Sequence, residues 1–304
     1  MSSRTPRRVA VLMGGMSAER EVSLVSGQRC GEALQEAGYS VIEVDAGIDL
    51  CGRLSDISPD VVFNGLHGKW GEDGCVQGLL EWMQIPYTHS GVRASATAMD
   101  KVAARQVFMQ SGLPVPDGMT VSAAELASGH PIDPPYVVKP VNEGSSVGVV
   151  IVPDGANSPV RDYDPQYPEV LVERFIAGRE LTVTVLGDRA LTVTDIETDS
   201  WYDYHSKYSV GASRHVVPGQ LPPEIHDACM DTALAAHESI GCRSISRADF
   251  RWDSTGGLDG LALLEINTQP GMTPTSLSPE QARHCGIGFS DLCRMLVEDA
   301  SCMR

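Results

Sequence analysis

Residues 247–267 read RADFRWDSTGGLDGLALLEIN. Two apolar-rich runs flank a loop of Asp, Ser, Thr and Gly, the residue types that favour turns, so this segment is predicted to form an antiparallel β-hairpin. If the hairpin is symmetric about the middle of its loop, Asp249 lies opposite Glu265. Because alternate strand residues point to the same side, Arg247 and Asn267 then share one face with the two carboxylates.

This face of the hairpin has two interpretations. Carboxylates directly opposed on paired strands repel each other unless positive charge lies between them. Two carboxylates and an amide oxygen suit Mg²⁺, so Asp249, Glu265 and Asn267 form a candidate magnesium site. The alternative is a surface hairpin whose acids are solvated and balanced by Arg247 and Arg251.

Length and composition restrict the class of protein. The composition, 42% apolar and 21% charged, is typical of a soluble enzyme. The length of 304 residues suggests roughly two domains, with one large domain or three small lobes as alternatives. Apolar runs are too short for a membrane span or a signal sequence, so a cytoplasmic location is expected. The net charge of −17 disfavours nucleic-acid binding, which needs clustered Lys and Arg. The eight cysteines form no C-x-x-C pair and are expected to be reduced and buried.

The N-terminal part of the chain predicts a doubly wound parallel sheet. Residues 8–13 and 61–66 are apolar runs typical of buried parallel strands, and glycines and a helical pattern follow the first. Ser17 is expected to cap that helix, with Glu19 in the first turn, where the helix dipole ordinarily favours an acid. The second run ends in a glycine-rich, charged loop in which His67 either packs structurally or contacts a ligand.

A second small-residue loop follows a predicted strand at residues 136–140. Residues 141–150 read VNEGSSVGVV, which places Gly on both sides of two serines, with Lys139 at the base of the loop. The backbone amides of such a loop can fold over phosphates, whereas the alternative is a flexible tip with an exposed lysine. Residues 170–181 are predicted to form strand, short loop and strand, with backbone groups available to an adenine edge.

Residues 199–218 contain four aromatic residues and little periodicity. A loop of this length without secondary structure is usually functional or disordered, and its aromatic content favours a lid that orders over substrate. Helices are predicted at residues 97–111, 223–240 and 279–297.

Several blocks of the sequence, in order along the chain, resemble the D-alanine–D-alanine ligases, members of the ATP-grasp superfamily. The most specific block is LLEINTQPGMTPTSL at residues 263–277. The other blocks are GG at 14–15 with SAEREVS at 17–23, HG at 67–68 with GEDG at 71–74, MDK at 99–101, KP at 139–140 with EGSSVG at 143–148, YDY at 202–204 with KY at 207–208, and Arg247 with Asp249. Together these blocks span almost the whole chain.

This resemblance implies a fold and a reaction. The implied fold is α/β ATP-grasp with three lobes: an N-terminal doubly wound parallel-sheet domain (residues 1–95), a central lobe (96–183) and a C-terminal catalytic lobe (184–304) that carries the lid. ATP is expected between the last two lobes. The implied reaction is ligation of two D-alanines to D-alanyl-D-alanine through a D-alanyl phosphate, with release of ADP and phosphate, for peptidoglycan precursor synthesis. Two Mg²⁺ or Mn²⁺ ions and a homodimer are also implied.

The resemblance also assigns roles to individual residues. Catalytic roles fall to Glu19, Ser145, Tyr208, Arg247, Gly271 and Ser276. Substrate contacts fall to Glu19, His67, Ser276 and Leu277. ATP contacts fall to Lys101, Lys139, Glu143, Ser145, Ser146, Glu173, Arg174, Ile176, Glu180 and Lys207. Metal contacts fall to Asp249, Glu265 and Asn267.

Within these sets, Glu19 is expected to bind the ammonium of the first D-alanine and to join Ser145 and Tyr208 in a hydrogen-bonded triad that closes the lid. Arg247 and the Gly271 amide are expected to stabilise an oxyanion. Arg174, His205 and Gln269 are variations beside the matched positions, and they bear on adenine contacts and lid closure. Another ATP-grasp ligase, a nucleotide-binding module without catalysis and a structural protein stay open as alternatives.

Overall fold

The computed structural model describes residues 7–144, 147–197 and 214–303. These residues form three β-sheets, one parallel and two antiparallel. The predicted parallel N-terminal sheet followed by two α+β lobes is therefore confirmed. In the described part of the chain, no helix combines the length and the apolar character that crossing a membrane requires.

The N-terminal sheet is parallel, with strand order β2-β1-β3. Its elements are β1 (Arg8–Met13), α1 (Arg20–Glu36), β2 (Ser40–Asp45), α2 (Leu50–Ile57), β3 (Val61–Asn64) and α3 (Cys75–Met83). The side chains of β1 from Val9 to Leu12 are fully buried, as expected for a central strand covered on both faces. The amide of Gly65 donates to the carbonyl of Leu12, so the loops after β1 and β3 leave the same edge of the sheet together.

The cap predicted for α1 is wrong. The helix begins at Arg20, after Glu19, and has no side-chain cap. The hydroxyl of Ser17 instead donates to the carbonyl of His67 (2.7 Å) and accepts from the amide of Glu19 (3.2 Å). Ser17 therefore joins the loop after β1 to the loop after β3 and fixes the backbone at Glu19.

The helix predicted at residues 97–111 is two helices, α4 (Val92–Met99) and α5 (Lys101–Gln110). Asp100 between them has extended backbone, and its carboxylate accepts from the amides of Val102 and Ala103. An aspartate that caps a new helix satisfies amide groups that would otherwise lack partners, which favours this break. As a result, α5 starts with Lys101.

The second sheet is antiparallel, with strand order β4-β7-β5-β6. Its elements are β4 (Gly118–Ser122), α6 (Ala123–Ser128), β5 (Tyr136–Pro140), β6 (Val150–Val152) and β7 (Glu169–Arg174). It has its own apolar core, which includes Leu126, Tyr136 and Val170. The predicted strand at residues 136–140 is confirmed, and Lys139 is its penultimate residue.

The third sheet is also antiparallel, with strand order β10-β9-β8-β11-β12. Its elements are β8 (Arg179–Leu186), β9 (Arg189–Glu197), β10 (Arg214–Val216), β11 (Ile245–Trp252) and β12 (Leu261–Asn267), and α7 (Pro223–Ile240) packs against it. Residues 214–216 belong to the predicted lid, so that end of it is a strand rather than a loop. The rest of the lid up to residue 213 lies outside the described residues.

Two helices follow the third sheet, where one was predicted over residues 279–297. They are α8 (Leu277–His284) and α9 (Phe289–Asp299). Gly286 between them has φ of +83°, a left-handed conformation that ends α8 and that L side chains rarely adopt. Leu292 and Leu296 of α9 share a core with Val9 and Val11 of β1. The chain's C-terminal helix therefore packs onto the N-terminal sheet, and the division at residues 95 and 183 stays a prediction.

Among the described residues, which include all eight cysteines, none forms a disulfide. Cys30, Cys229, Cys242 and Cys293 are buried as predicted. The prediction is wrong for Cys51 and Cys75, which are exposed.

Candidate active site

The hairpin of β11 and β12 has the predicted register at its open end. Arg247 pairs with Asn267 and Asp249 pairs with Glu265. The register then shifts by one residue between Asp249 and Phe250, so the predicted symmetry fails toward the loop. The loop contains a 3-10 segment at Ser254–Gly260 instead of a simple turn. The predicted face with two carboxylates, an amide and an arginine is nevertheless present.

A single cleft contains residues from the N-terminal sheet, from α5 and from the third sheet. Thirteen of the residues lining it are Glu19, His67, Glu72, Lys101, Glu143, Glu180, Arg247, Asp249, Glu265, Asn267, Gly271, Ser276 and Leu277. The structure thus brings together substrate-binding, catalytic and metal-binding candidates that are separated by up to about 250 residues in the sequence.

A second pocket continues this cleft between the two antiparallel sheets. Its lining includes Lys101, Lys139, Glu143, Glu173, Arg174, Ile176, Glu180, Asp249 and Glu265. Five of these residues also line the first cleft, so the two pockets share a wall. The remaining candidates, Ser145, Ser146, Lys207 and Tyr208, lie outside the described residues.

Cations offset the repulsion between the opposed carboxylates. Arg247 binds Asp249 through two hydrogen bonds, Nε to Oδ1 (2.8 Å) and Nη2 to Oδ2 (2.7 Å). The hydroxyl of Thr182 donates to the same Asp249 Oδ1 (2.7 Å), and Lys101 Nζ lies 3.5 Å from Glu265 Oε2. The side chains of Arg247 and Asp249 are each only 14% exposed, so Asp249 is not solvated as the surface-hairpin alternative requires, although Arg247 balances its charge as that alternative expects.

The donor atoms at this face suit a hard divalent cation. Asp249 and Glu265 supply carboxylate oxygens and Asn267 supplies an amide oxygen, the chemistry that Mg²⁺ prefers. In the described ranges of the chain, no group of three or more His, Cys, Asp and Glu is placed to hold a metal. Asn267 is therefore needed to complete a set of three residues, and the binding of metal here stays a prediction.

The base of the small-residue loop carries a buried ion pair. Lys139 Nζ lies 2.7 Å from Glu173 Oε2, and Arg105 Nε lies 3.8 Å from Glu173 Oε1. Burial lowers the pKa of Lys139, but the charges of Glu173, Glu265 and Glu180 and the hydrogen bond with Glu173 together outweigh it, so the pKa is raised overall and the ammonium is retained. The exposed-lysine alternative is wrong, because the side chain of Lys139 is 12% exposed.

The short connection between β7 and β8 is fixed by one arginine. Arg251 donates to the carbonyls of Ile176 (3.2 Å) and Gly178 (2.9 Å) and lies over the ring of Phe175 (5.7 Å). It also pairs with Glu180 (3.4 Å). Arg251 thus joins the backbone predicted to meet an adenine edge to the carboxylate predicted to meet a ribose.

Buried titratable groups gather at the end of the cleft formed by the N-terminal sheet. Glu19, His67 and Glu72 are 9%, 6% and 9% exposed. Burial, together with the nearby charge of Arg247, lowers the pKa of His67 to about 4, so its ring is neutral at pH 7. Its Nε2 forms a hydrogen bond with Ser26 Oγ (3.1 Å).

Glu72 was not predicted as a site residue. It lines the cleft, and its Oε1 accepts from the amide of Gly68 (2.9 Å). Burial, and then the negative charge of Glu19, raises the pKa of Glu72 to about 8. The sequence shows only a glutamate in a glycine-rich loop, where no periodicity distinguishes a buried carboxyl from an exposed one.

Replacing Glu72 with glutamine should stabilise the protein more at pH 8 than at pH 5. The folded-state pKa of Glu72 is about 8, whereas the unfolded value is about 4.3. The stability that this carboxyl contributes is therefore complete below a pH of about 4.3 and is lost as the pH rises toward 8. Glutamine does not ionise and still accepts from Gly68. Thermal unfolding of both proteins at the two pH values measures the difference.

The exposed Glu125 provides the control. Its pKa is lowered by hydrogen bonds with Ser122, so its contribution is complete above the unfolded pKa. Glu125→Gln should therefore change Tm by a similar amount at pH 5 and pH 8. A Tm gain in Glu72→Gln that is the same at both pH values would contradict the raised pKa.

The loop after β12 ends at the first turn of α8. Ser276 precedes this helix, and its hydroxyl accepts from the amide of Thr273 (2.9 Å). A Cβ at Gly271 would lie 2.8 Å from Ser276 Oγ, so a side chain there would displace the Ser276 hydroxyl. The amide groups at the start of α8 favour a carboxylate ligand near Ser276 and Leu277.

Comparison with known protein families bears on this cleft. The family model described as D-ala D-ala ligase C-terminus matches residues 107–298, and the one described as D-ala D-ala ligase N-terminus matches residues 51–90. The chain belongs to the D-alanine–D-alanine ligase family. The resemblance drawn from the sequence blocks is therefore confirmed.

Individual members of the family match over their whole length. D-alanine–D-alanine ligases from Cereibacter sphaeroides and Ruegeria pomeroyi are 63% and 62% identical to this chain, and each match covers 100% of this chain and 99% of the relative. The crystal structure of D-alanine–D-alanine ligase from Bacillus anthracis has a TM-score of 0.78 at 31% identity, covering 96% of this chain and 97% of that one. A crystal structure of D-alanine–D-alanine ligase from Bacillus anthracis complexed with ATP has a TM-score of 0.76 at 28% identity, covering 96% of this chain and 97% of that one. The ATP-grasp fold class is thus confirmed.

Proposed function

We propose that this protein joins two D-alanines into D-alanyl-D-alanine at the expense of ATP, releasing ADP and phosphate, and so supplies a peptidoglycan precursor. The proposal rests on one observation: three kinds of chemical group meet in a single cleft of this member of the family. They are buried acids that suit an ammonium, lysines that suit phosphates and a helix start that suits a carboxylate.

The chemistry explains why these groups are needed together. A carboxylate is a poor acyl donor, so the carboxylate of the first D-alanine attacks the terminal phosphorus of ATP and ADP leaves. The amine of the second D-alanine then attacks the carbonyl carbon of the acyl phosphate, and phosphate leaves as the peptide bond forms. The acyl phosphate must be kept from water, which a closed cleft provides.

Named residues take the binding and electrostatic roles in this scheme. Glu19 holds the ammonium of the first D-alanine, and Ser276 with Leu277 holds the carboxylate of the second. Arg247 and the amide of Gly271 stabilise the oxyanion formed by attack of the amine. Tyr208 and Ser145 complete the triad with Glu19, and His67 lies beside the first amino acid.

The nucleotide occupies the pocket between the two antiparallel sheets. Lys101, Lys139 and Lys207 neutralise phosphate oxygens, and Glu143 with the amides of Ser145 and Ser146 lies beside them. Glu173, Arg174 and Ile176 meet adenine and Glu180 meets the ribose. In this structure the carboxylate of Glu173 is held by Lys139, so its contact with the base would use the strand backbone or an exchange of partners.

Asp249, Glu265 and Asn267 would hold Mg²⁺ or Mn²⁺, two ions by the resemblance. When bound, such ions supply positive charge to the transferring phosphoryl group. The three side chains lie on one face of the hairpin, where Asp249 and Glu265 supply carboxylate oxygens and Asn267 supplies an amide oxygen. A homodimer is part of the proposal, and neither nucleic acid nor a membrane is a proposed partner.

ADP release tests the proposed function. The protein is incubated with ATP and Mg²⁺ and with D-alanine, L-alanine or no amino acid. Release that depends on D-alanine supports the ligase. Another ATP-grasp ligase would keep the ATP and metal residues and release ADP with a different acceptor, and a nucleotide-binding module would bind ATP without amino-acid-dependent release.

A further inference from the structure

One side chain connects the two loops that carry substrate residues. Gln269 follows β12 and is 2% exposed, and it reaches the loop that follows β3 in the N-terminal sheet. Its Oε1 accepts from Asn64 Nδ2 (2.7 Å), and its Nε2 donates to the carbonyl of Leu66. Both functional atoms of this amide are therefore used across the boundary between two sheets.

The same network extends to both ends of the cleft. The backbone amide of Gln269 donates to Asn267 Oδ1 (3.0 Å), at the face of the hairpin. On the other side, Asn64 donates to the carbonyl of Gly71 (2.9 Å), and Gln77 donates to that carbonyl as well (2.9 Å). A continuous set of buried amides thus runs from the loop with His67 and Glu72 to the end of β12.

We propose that Gln269 is a positioning residue, which sets the distance between the pocket of the first D-alanine and the phosphate-transfer end of the cleft. It acts through Asn64 and Leu66. Only an amide of this length offers one donor and one acceptor to these two partners at once. An apolar replacement would leave a buried donor and a buried carbonyl unpaired, and the loop would shift to satisfy them.

The reaction is sensitive to such a shift. The carboxylate of the first D-alanine must lie in line with the terminal phosphate, and its ammonium is held at Glu19, on the loop side of the network. Misplacement of reacting groups by about 1 Å costs about 10²-fold in rate. The pocket around Lys139 and Glu173 contains no member of the network, and the bond to Asn267 comes from the backbone of Gln269, which the substitution keeps, so nucleotide binding should be unaffected.

The test is Gln269→Met, which keeps the length of the side chain and removes its donor and acceptor. Dipeptide formation is measured against D-alanine at saturating ATP, and the two D-alanine sites are resolved as two half-saturating concentrations. We expect the first-site value to rise by about 10-fold or more and kcat to fall by about 10²-fold. The half-saturating ATP concentration should stay within about twofold of that of the unsubstituted protein.

Gln281→Met is the matched control. Gln281 is fully buried, and its amide accepts from the backbone of Thr184 (2.7 Å) and donates to Thr182 O (3.1 Å) and Thr194 Oγ1 (2.9 Å). These partners all lie within the third sheet. Gln281→Met should lower Tm, as Gln269→Met should. It should leave the half-saturating D-alanine concentration at the first site unchanged.

This inference rests on the proposed function. Measurements on the unsubstituted protein distinguish failure of the proposed function from failure of the positioning role. If the unsubstituted protein forms no dipeptide, the proposed function is contradicted. If it forms dipeptide and Gln269→Met shows no selective rise at the first site, the positioning role is contradicted. Should Gln269→Met fail to fold, Gln269→Glu keeps the acceptor for Asn64 and, when ionised, places a carboxylate oxygen that repels the Leu66 carbonyl in place of the donor, and the same selective rise is expected at pH 8.

Discussion

Glu265→Ala should reduce kcat by about 10²- to 10³-fold while the protein stays folded. Glu265 lies opposite Asp249 and would be a metal ligand, and loss of one group that neutralises transition-state charge commonly costs 10²- to 10³-fold. Its side chain is 34% exposed and its pair with Lys101 is loose (3.5 Å), so the change in the free energy of unfolding should be below about 1 kcal/mol. Turnover at saturating substrates and Tm are the two measurements.

Glu197→Ala is the control for this substitution. Glu197 pairs with Arg214 in the same sheet, and its side chain is 50% exposed. Like Glu265→Ala, this substitution removes the acid from one ion pair of the sheet. It should keep the kcat of the unsubstituted protein. Near-normal turnover by Glu265→Ala would contradict the metal assignment.

Lys139→Met should both destabilise the protein and weaken ATP binding. The substitution removes a cation from Glu173, whose side chain is 4% exposed, and among the described residues leaves only the cation of Arg105, at 3.8 Å. Removing one partner of a buried ion pair commonly costs about 3–5 kcal/mol. Loss of a phosphate contact should also raise the half-saturating ATP concentration by at least about 10-fold, which is equivalent to about 1.4 kcal/mol.

The double substitution Lys139→Met with Glu173→Gln separates the two effects. Glutamine carries no charge that needs neutralising, so chemical denaturation should show that most of the lost stability returns. ATP binding should stay weak, because the phosphate contact is still missing. Recovery of ATP affinity in the double variant would show that Lys139 acts only by balancing Glu173.

Local sequence patterns predicted the hairpin because the information is local. Turn residues in the middle and apolar runs on both sides specify which residues pair, and Asp249 opposite Glu265 follows. The one-residue shift beyond Asp249 was not predictable, because a bulge depends on how the strand packs against its neighbours. The parallel sheet was also predictable, since its strands are short, fully apolar runs.

Contacts between distant segments explain what the sequence did not reveal. Ser17 reads as a helix cap, but its hydroxyl is taken by the carbonyl of His67, which is 50 residues away. Asp100 reads as a helix residue until its carboxylate is seen to cap α5. Glu72 and Gln269 look like ordinary polar loop residues, and only the packed structure buries them. The roles of the individual site residues were assigned from the family resemblance, because local patterns alone do not specify them.

Transfer of an oxygen atom from D-alanine to phosphate tests the central claim most directly. The protein is supplied with ATP, Mg²⁺ and D-alanine whose carboxylate carries two ¹⁸O atoms, and the released phosphate and dipeptide are examined by mass spectrometry. If the carboxylate is phosphorylated and then attacked by the second amine, each released phosphate contains one ¹⁸O and the new amide carbonyl keeps the other. Unlabelled phosphate would mean that water, rather than D-alanine, attacks ATP in this cleft, and would contradict the ligase mechanism.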